Sequence, residues 1–311
     1  MSNPLQEILK QQPFIVQDGA FATELERAGF VINDPLWSAI ALYEKPELVK
    51  QVYRSYLNAG ADVLITASYQ GTVEGFMKKG FSKEKSKDLI RLSVRLAKEV
   101  RDEFWADNQD KSRAYPLIAA SVGPYGAHLA DGSEYRGNYG VSRKTIADFH
   151  RENIGILAEE EPDLFACETV PSFLEAQALG DALSSYPESK AWISFSCKDG
   201  HHTCEGNPIT ECAAFLDTVP EVLAIGVNCC PPGIVESLVR DIKSVTDKVI
   251  VVYPNSGETY DPASKTWKGS AVSYADYAKS WYDAGARFIG GCCRTTPDDI
   301  RAVRNVLDSL R

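Results

Sequence analysis

The sequence predicts an α/β fold, a single (β/α)8 TIM barrel with its site at the C-terminal face of the strands, on three observations. Apolar, β-rich runs recur eight times along 311 residues. Nearly every run is followed by a segment with helical spacing, and Gly, Pro, Asn or Asp bounds the runs. Alternating strands and helices imply a parallel sheet, because each return needs a crossover. Eight such units in about 300 residues fit a closed barrel. The rival, an open doubly wound sheet, asks for GxGxxG after the first strand, and residues 17–24 read QDGAFATE.

Taken in order, FIVQDGA (14–20) leads into FATELERAG, and ADVLITASYQ (61–70) into a long segment reaching LIRLSVRLAKEVRDEF. PLIAASVGPYG (116–126) precedes a polar loop and then KTIADFHRENIGILAEE. DLFACETV (163–170) is followed by SFLEAQALGDALSSY, and AWISFSC (191–197) by ITECAAFLDTV. VLAIGVNCC (222–230) precedes GIVESLVRDIKSV, in which Ile234, Val235, Leu238, Val239 and Ile242 form one helical stripe. VIVVYPNSG (249–257) precedes SYADYAKSWYDAG, and ARFIGGCC (286–293) precedes PDDIRAVRNVLDSL. The longest irregular stretches, 123–143, 198–208 and 255–272, all follow strands and are expected on the face that carries sites in barrels. No internal repeat breaks the rhythm, so one domain over 1–311 is expected.

A formal net charge of -10, a pI near 5.0 and the absence of any Lys/Arg run argue against nucleic acid or an anionic membrane as partner. The N-terminus lacks a basic start followed by an apolar core, and no stretch approaches the ~18 apolar residues of a membrane helix. A cytoplasmic location is expected. In a reducing compartment, Cys167, Cys197, Cys204, Cys212, Cys229, Cys230, Cys292 and Cys293 read as metal-binding, catalytic or packed thiols rather than disulfides.

Residues ending different strands of a barrel converge on one mouth. Here they are Asp18, Ser68 and Gln70, Gly123, Cys167 and Glu168, Cys197, Cys229 and Cys230, Asn255, and Cys292 and Cys293. Cysteines ending the sixth and eighth strands can share a metal, and three sulfurs with one open position are the pattern of a catalytic zinc. Such an electron-rich centre is a poor activator of water. It suits holding a thiol deprotonated near neutral pH for attack on an electrophilic carbon. Two other readings of Cys292 and Cys293 stand beside this one, small buried residues or a vicinal disulfide. Consecutive strand residues face opposite ways, so sharing one metal requires a backbone bend, which Gly290 and Gly291 permit.

GGCCRTTP (290–297), GVNCC (226–230), QDGAFATEL (17–25), TASYQ (66–70) and YPNSGE (253–258) together resemble the homocysteine S-methyltransferase family, over roughly residues 14–308. SVGPYGAHLADGSEYRGNY (121–139) resembles its branch using S-methylmethionine, sometimes S-adenosylmethionine. The resemblance implies Zn2+ held by Cys229, Cys292 and Cys293, with Cys230 left to packing and Cys167, Cys197, Cys204 and Cys212 as non-ligands. It implies L-homocysteine as acceptor, its amine on Asp18 and Glu168, whose other readings are a helix cap and a surface carboxylate. The substrate carboxylate is expected on backbone N–H groups near Gly19 and Ala20, where a helix begins, with Ser68 adding a contact or bracing its loop. Glu134, Tyr135, Tyr125 and Tyr139 are expected to cradle a sulfonium donor, and Asn255 and Ser256 to hold its amino-acid end. Arg294 resembles a fixed position of the family without a readable role. His128, His150, His201 and His202 lack zinc spacing, and the 201–202 pair reads as solvated surface. Competing readings are a selenol acceptor such as selenocysteine, a vicinal-thiol redox enzyme, and a non-catalytic zinc protein. Betaine as donor is disfavoured, because that relative carries a C-terminal extension and this chain stops at Arg311; the same feature suggests a monomer.

Overall fold

A computed structural model describes residues 3–32, 34, 36–108, 113–261 and 266–311. Its barrel strands are β1 (Ile15–Val16), β2 (Val63–Ile65), β3 (Leu117–Val122), β4 (Leu164–Val170), β5 (Ala191–Phe195), β6 (Val222–Asn228), β7 (Val249–Tyr253) and, eighth, β10 (Phe288–Ile289). A separate antiparallel pair, β8 (Thr259–Asp261) and β9 (Thr266–Lys268), lies between the last two. The barrel strands pair in parallel in the order β1-β10-β7-β6-β5-β4-β3-β2. A parallel bridge between Gln17 and Val63, with Asp18 N–H donating to the Val63 carbonyl at 3.1 Å, joins the two ends. The expected (β/α)8 barrel is the observed one.

Side-chain alternation divides each strand between two layers. Leu164 and Ala166 of β4 join Ile15, Trp192, Val251 and Phe288 inside the barrel, while Phe165 and Cys167 pack outward under the helices. The helix Pro4–Leu9, which no apolar periodicity announced, adds Leu5 and Ile8 to the interior cluster, with the Asn3 side chain capping its first turn. At the start of β2, fully buried Asp62 accepts from Val16 N–H (2.9 Å), Gln12 Nε2 (2.7 Å) and Arg304 Nη2 (2.5 Å). This network ties the last helix, Pro297–Asp308, to the barrel wall.

The irregular stretches hold more structure than expected. Residues 123–143 contain a helix over Tyr125–Leu129 and a 3-10 turn over Ser133–Tyr135. Residues 198–208 fold back through bridges Cys197–Thr203 and His202–Pro208. The 255–272 stretch carries the β8–β9 hairpin, whose 262–265 turn lies outside the described residues. The amphipathic segment after β6 is a helix over Val235–Lys243 burying Val235, Leu238, Val239 and Ile242; Ile234 belongs to the 3-10 turn before it. Among the described residues no helix is long and apolar enough to cross a membrane.

Candidate active site

β6 ends at Asn228, and the chain turns at once through Cys229, a left-handed residue with φ 49°. β10 ends at Ile289 and is followed by Gly290, Gly291, Cys292 and Cys293. The sulfurs of Cys229, Cys292 and Cys293 lie within 4.8 Å of one another, and Cys229 Sγ is 3.8 Å from Cys293 Sγ across 64 positions of sequence. All eight cysteines are free, so no vicinal disulfide forms. The bend that presents the adjacent thiols does not come from left-handed glycines, since neither Gly290 nor Gly291 has positive φ. The glycines are needed for close approach: a Cβ on Gly291 would sit 2.3 Å from Thr295 Oγ1, and one on Gly290 2.5 Å from the Gln17 Cβ. The positive φ falls on Cys229 and Arg294 at either side of the cluster.

Backbone bonds lock the two cysteine segments together. Cys229 N–H donates to the Tyr253 carbonyl, Cys292 N–H to that of Pro254 (2.8 Å), and Ser256 N–H to that of Cys293 (3.0 Å). Four-coordinate zinc with Zn–S bonds of about 2.3 Å sets its sulfurs about 3.8 Å apart, the spacing Cys229 and Cys293 adopt. The donor set therefore fits zinc with one position left over. The three thiols also act on one another. Hydrogen bonds from Cys292 and Cys293, then from Thr169 and Tyr135, hold Cys229 well below an ordinary thiol, and the same partnership pushes the other two up.

Thr169 and Asn228 were not anticipated. Thr169 N–H donates to Asn228 Oδ1 (2.7 Å) and Asn228 Nδ2 to Thr169 Oγ1 (2.8 Å). The clamp holds β-branched Thr169 at φ 62°, a conformation such residues avoid unless their surroundings impose it. A register shift in β4 between Cys167 and Val170 accompanies it, and bulges of this kind re-aim side chains. Glu168 in that bulge is buried, accepting from Ser121 Oγ at 2.5 Å. Burial first, then the nearby Cys229 charge, raise its carboxyl to about 8.

Asp18 is buried as well. Its Oδ2 accepts from Ile65 N–H at 2.8 Å, and burial pushes its carboxyl up, with Glu168 adding repulsion. Asp18 is thus no helix cap, and Glu168 no surface carboxylate. Among the described residues no Lys, Arg or His forms an ion pair with either, and burial favours their neutral forms. Among the described residues the Gln17 amide, Gln70 Oε1, Glu134 Oε2 and Asn255 Oδ1, each in a segment that follows a barrel strand, are buried without a hydrogen-bond partner.

The remaining expected residues divide. Ser68 shares a hydrogen bond with Thr66 and donates to the Ser121 carbonyl (2.8 Å), which braces its loop. The helix Phe21–Arg27 starts at Ala20 without a side-chain cap, but Ala20 N–H already donates to Thr295 Oγ1 (3.2 Å), so Ala20 is not a free donor. Tyr135 and Glu134 both lie near enough to Cys229 to feel its charge. Tyr125 and Tyr139 do not join them. Their rings pack on each other and on Ile146 and Ala147, and the Tyr139 hydroxyl is committed to Glu175. Ser256 Oγ donates to Glu258, as does Arg294 Nε (3.2 Å), so Arg294 braces the loop that carries Asn255 and Ser256. Cys167, Cys197, Cys212 and Cys230 are buried as packing, and Cys204 stands outside the three-sulfur cluster. His150 is buried on Glu175, while His201 is an exposed partner of Asp241.

The family model described as homocysteine S-methyltransferase matches residues 15–307. Homocysteine S-methyltransferase YbgG of Bacillus subtilis is 52% identical, covering 99% of this chain and 99% of its own. The selenocysteine methyltransferase of Astragalus bisulcatus is 47% identical over 94% of this chain and 91% of its own. Among solved structures, the metallated form of the homocysteine methyltransferase MmuM from Escherichia coli matches with a TM-score of 0.89 and 44% identity, over 97% of this chain and 99% of that one.

Proposed function

Because this chain belongs to the homocysteine S-methyltransferase family, we propose that it moves a methyl group from a sulfonium donor, S-methylmethionine, to the sulfur of L-homocysteine, giving methionine. In this reading Cys229, Cys292 and Cys293 hold zinc. The observation that carries it is the convergence of three sulfurs from two strand ends within 4.8 Å of one another, beside two buried carboxylates without an ion-pair partner among the described residues.

Bound there, zinc supplies the positive charge that keeps an incoming thiol deprotonated near neutral pH. The protein's own residues do the rest by placement. Asp18 and Glu168 receive the ammonium group, for which Glu168 must first release the proton that burial favours. The free N–H groups from Gly19 into the first helical turn face the substrate carboxylate. Glu134 and Tyr135 flank the cysteines on the donor side, and Asn255 and Ser256 lie beside Cys293. The acceptor sulfur attacks the donor methyl, a new S–CH3 bond forms, and the electron pair of the breaking bond stays with the donor sulfur, which leaves as a neutral thioether. Opposite charges annihilate in this step, so exclusion of water favours it, and in-line placement contributes most of the rate.

The test is zinc content of the purified protein together with methionine formation from homocysteine and S-methylmethionine. One zinc per chain and turnover are expected; metal-free active protein contradicts the reading. A selenol acceptor is a second reading with specific support, the two relatives named for selenocysteine at 47% identity. Competition between homocysteine and selenocysteine for one donor ranks the two acceptors.

A further inference from the structure

Glu175 lies in the first turn of the helix Phe173–Leu183, fully buried and outside the thiol cluster. Its carboxylate is shared among elements far apart in sequence. Oε1 accepts from Tyr125 N–H at 2.6 Å and from His150 Nε2 at 2.9 Å, and Oε2 accepts from the Tyr139 hydroxyl at 2.6 Å. Tyr125 opens the loop after β3 and Tyr139 closes it. One carboxylate therefore clasps both ends of a segment that carries Glu134 and Tyr135 to the cysteines. The loop has further ties along its length, Gln70 Nε2 on the Ala127 carbonyl (3.0 Å), His128 beside Thr72 and Glu74, Ser196 Oγ on the Glu134 carbonyl (3.1 Å) and Asn138 N–H on Glu205 (2.6 Å), but none of them joins its two ends.

We propose that Glu175, oriented by His150, is a positioning residue for the methyl donor: it fixes the span between Tyr125 and Tyr139 and thereby sets Glu134 and Tyr135 over the acceptor sulfur. This rests on the transfer reaction proposed above. A buried carboxylate with three donors resists removal, because losing it leaves each donor unsatisfied. Since reacting atoms must align in line, a loop displaced by about 1 Å lowers productive donor binding by one to two orders of magnitude. Homocysteine, gripped from β1, β4, β6 and β10, is expected to bind as before.

The experiment compares Glu175→Gln and Tyr139→Phe with the parent protein, loaded with zinc. Three quantities are read: KM for S-methylmethionine, KM for homocysteine, and amide hydrogen exchange across 125–139. For Glu175→Gln the donor KM rises about ten-fold or more while the homocysteine KM stays within about two-fold. Exchange rises in the loop and not in the barrel strands. Tyr139→Phe, which keeps the ring and deletes one bond, moves the same readings by about three-fold and remains informative if the buried glutamine variant fails to fold. Unchanged donor KM in both variants overturns the inference, as does an equal loss toward both substrates or unaltered loop exchange. A parent protein that does not methylate homocysteine defeats the transfer reading instead, and the exchange data then report on the clasp alone.

Discussion

Replacing Glu168 by glutamine keeps the shape of the side chain and removes its ability to carry charge. In the free protein burial raises this carboxyl to about 8, so at pH 7 roughly nine-tenths of it is protonated. Binding an ammonium calls for the ionised form. Withdrawing the proton at pH 7 costs one unit of pH, about 1.4 kcal/mol, or about ten-fold in affinity. The cost vanishes above pH 8. Homocysteine affinity of the parent protein should therefore improve about ten-fold between pH 7 and 9 beyond what the substrate's own groups contribute. Glu168→Gln lacks that gain, and at pH 8.5 it also lacks a charge-assisted hydrogen bond, a loss of about 2 kcal/mol or about thirty-fold. The assay is the homocysteine KM at saturating donor across pH 6.5–9 in both proteins. 4-Mercaptobutyrate, which lacks the amine, serves as control and should show the same profile in both. Parallel homocysteine profiles would refute the assignment of Glu168 to the amine.

Three further outcomes follow from the same geometry. Cys229→Ser should lose bound metal and activity while Cys230→Ala, one position on, keeps both, because only Cys229 faces Cys292 and Cys293; metal analysis of the two decides it. Arg304→Met removes a partner of fully buried Asp62, with Arg113 at 3.7 Å as partial substitute, so the loss should fall near the low end for broken buried pairs, about 3 kcal/mol by denaturant titration. Gln17→Leu deletes a fully buried amide with neither polar atom paired and should raise Tm by a few degrees. A fall in Tm would mean that the amide has a partner.

The barrel and the three-cysteine cluster at its mouth were legible in the sequence for a common reason. Strands buried on both faces read as short apolar runs, and whatever ends those runs is brought to one mouth by topology, so Asp18, Glu168, Cys229, Cys292 and Cys293 could be grouped before their positions were known. The parts that escaped have no period. The Asn228–Thr169 clamp joins two short polar side chains 59 positions apart, and nothing local marks Thr169 as left-handed. Glu175 falls in the first turn of an amphipathic helix, where a carboxylate ordinarily faces solvent. Its burial depends on Tyr125, Tyr139 and His150 arriving from other elements. Tyr125 and Tyr139 were misplaced for the complementary reason: a tyrosine in a polar loop reads as a ligand contact, whereas these two pack and hydrogen-bond inward. The role of Gly290 and Gly291 was likewise seen as freedom of φ, when it is the space taken by Gln17 and Thr295.

Zinc-edge X-ray absorption on the reduced protein, recorded before and after addition of homocysteine, addresses the ligand set itself. Three sulfur neighbours at about 2.3 Å rising to four on addition is the result this account predicts. Four protein ligands already in place, or an unchanged sulfur count, would contradict it.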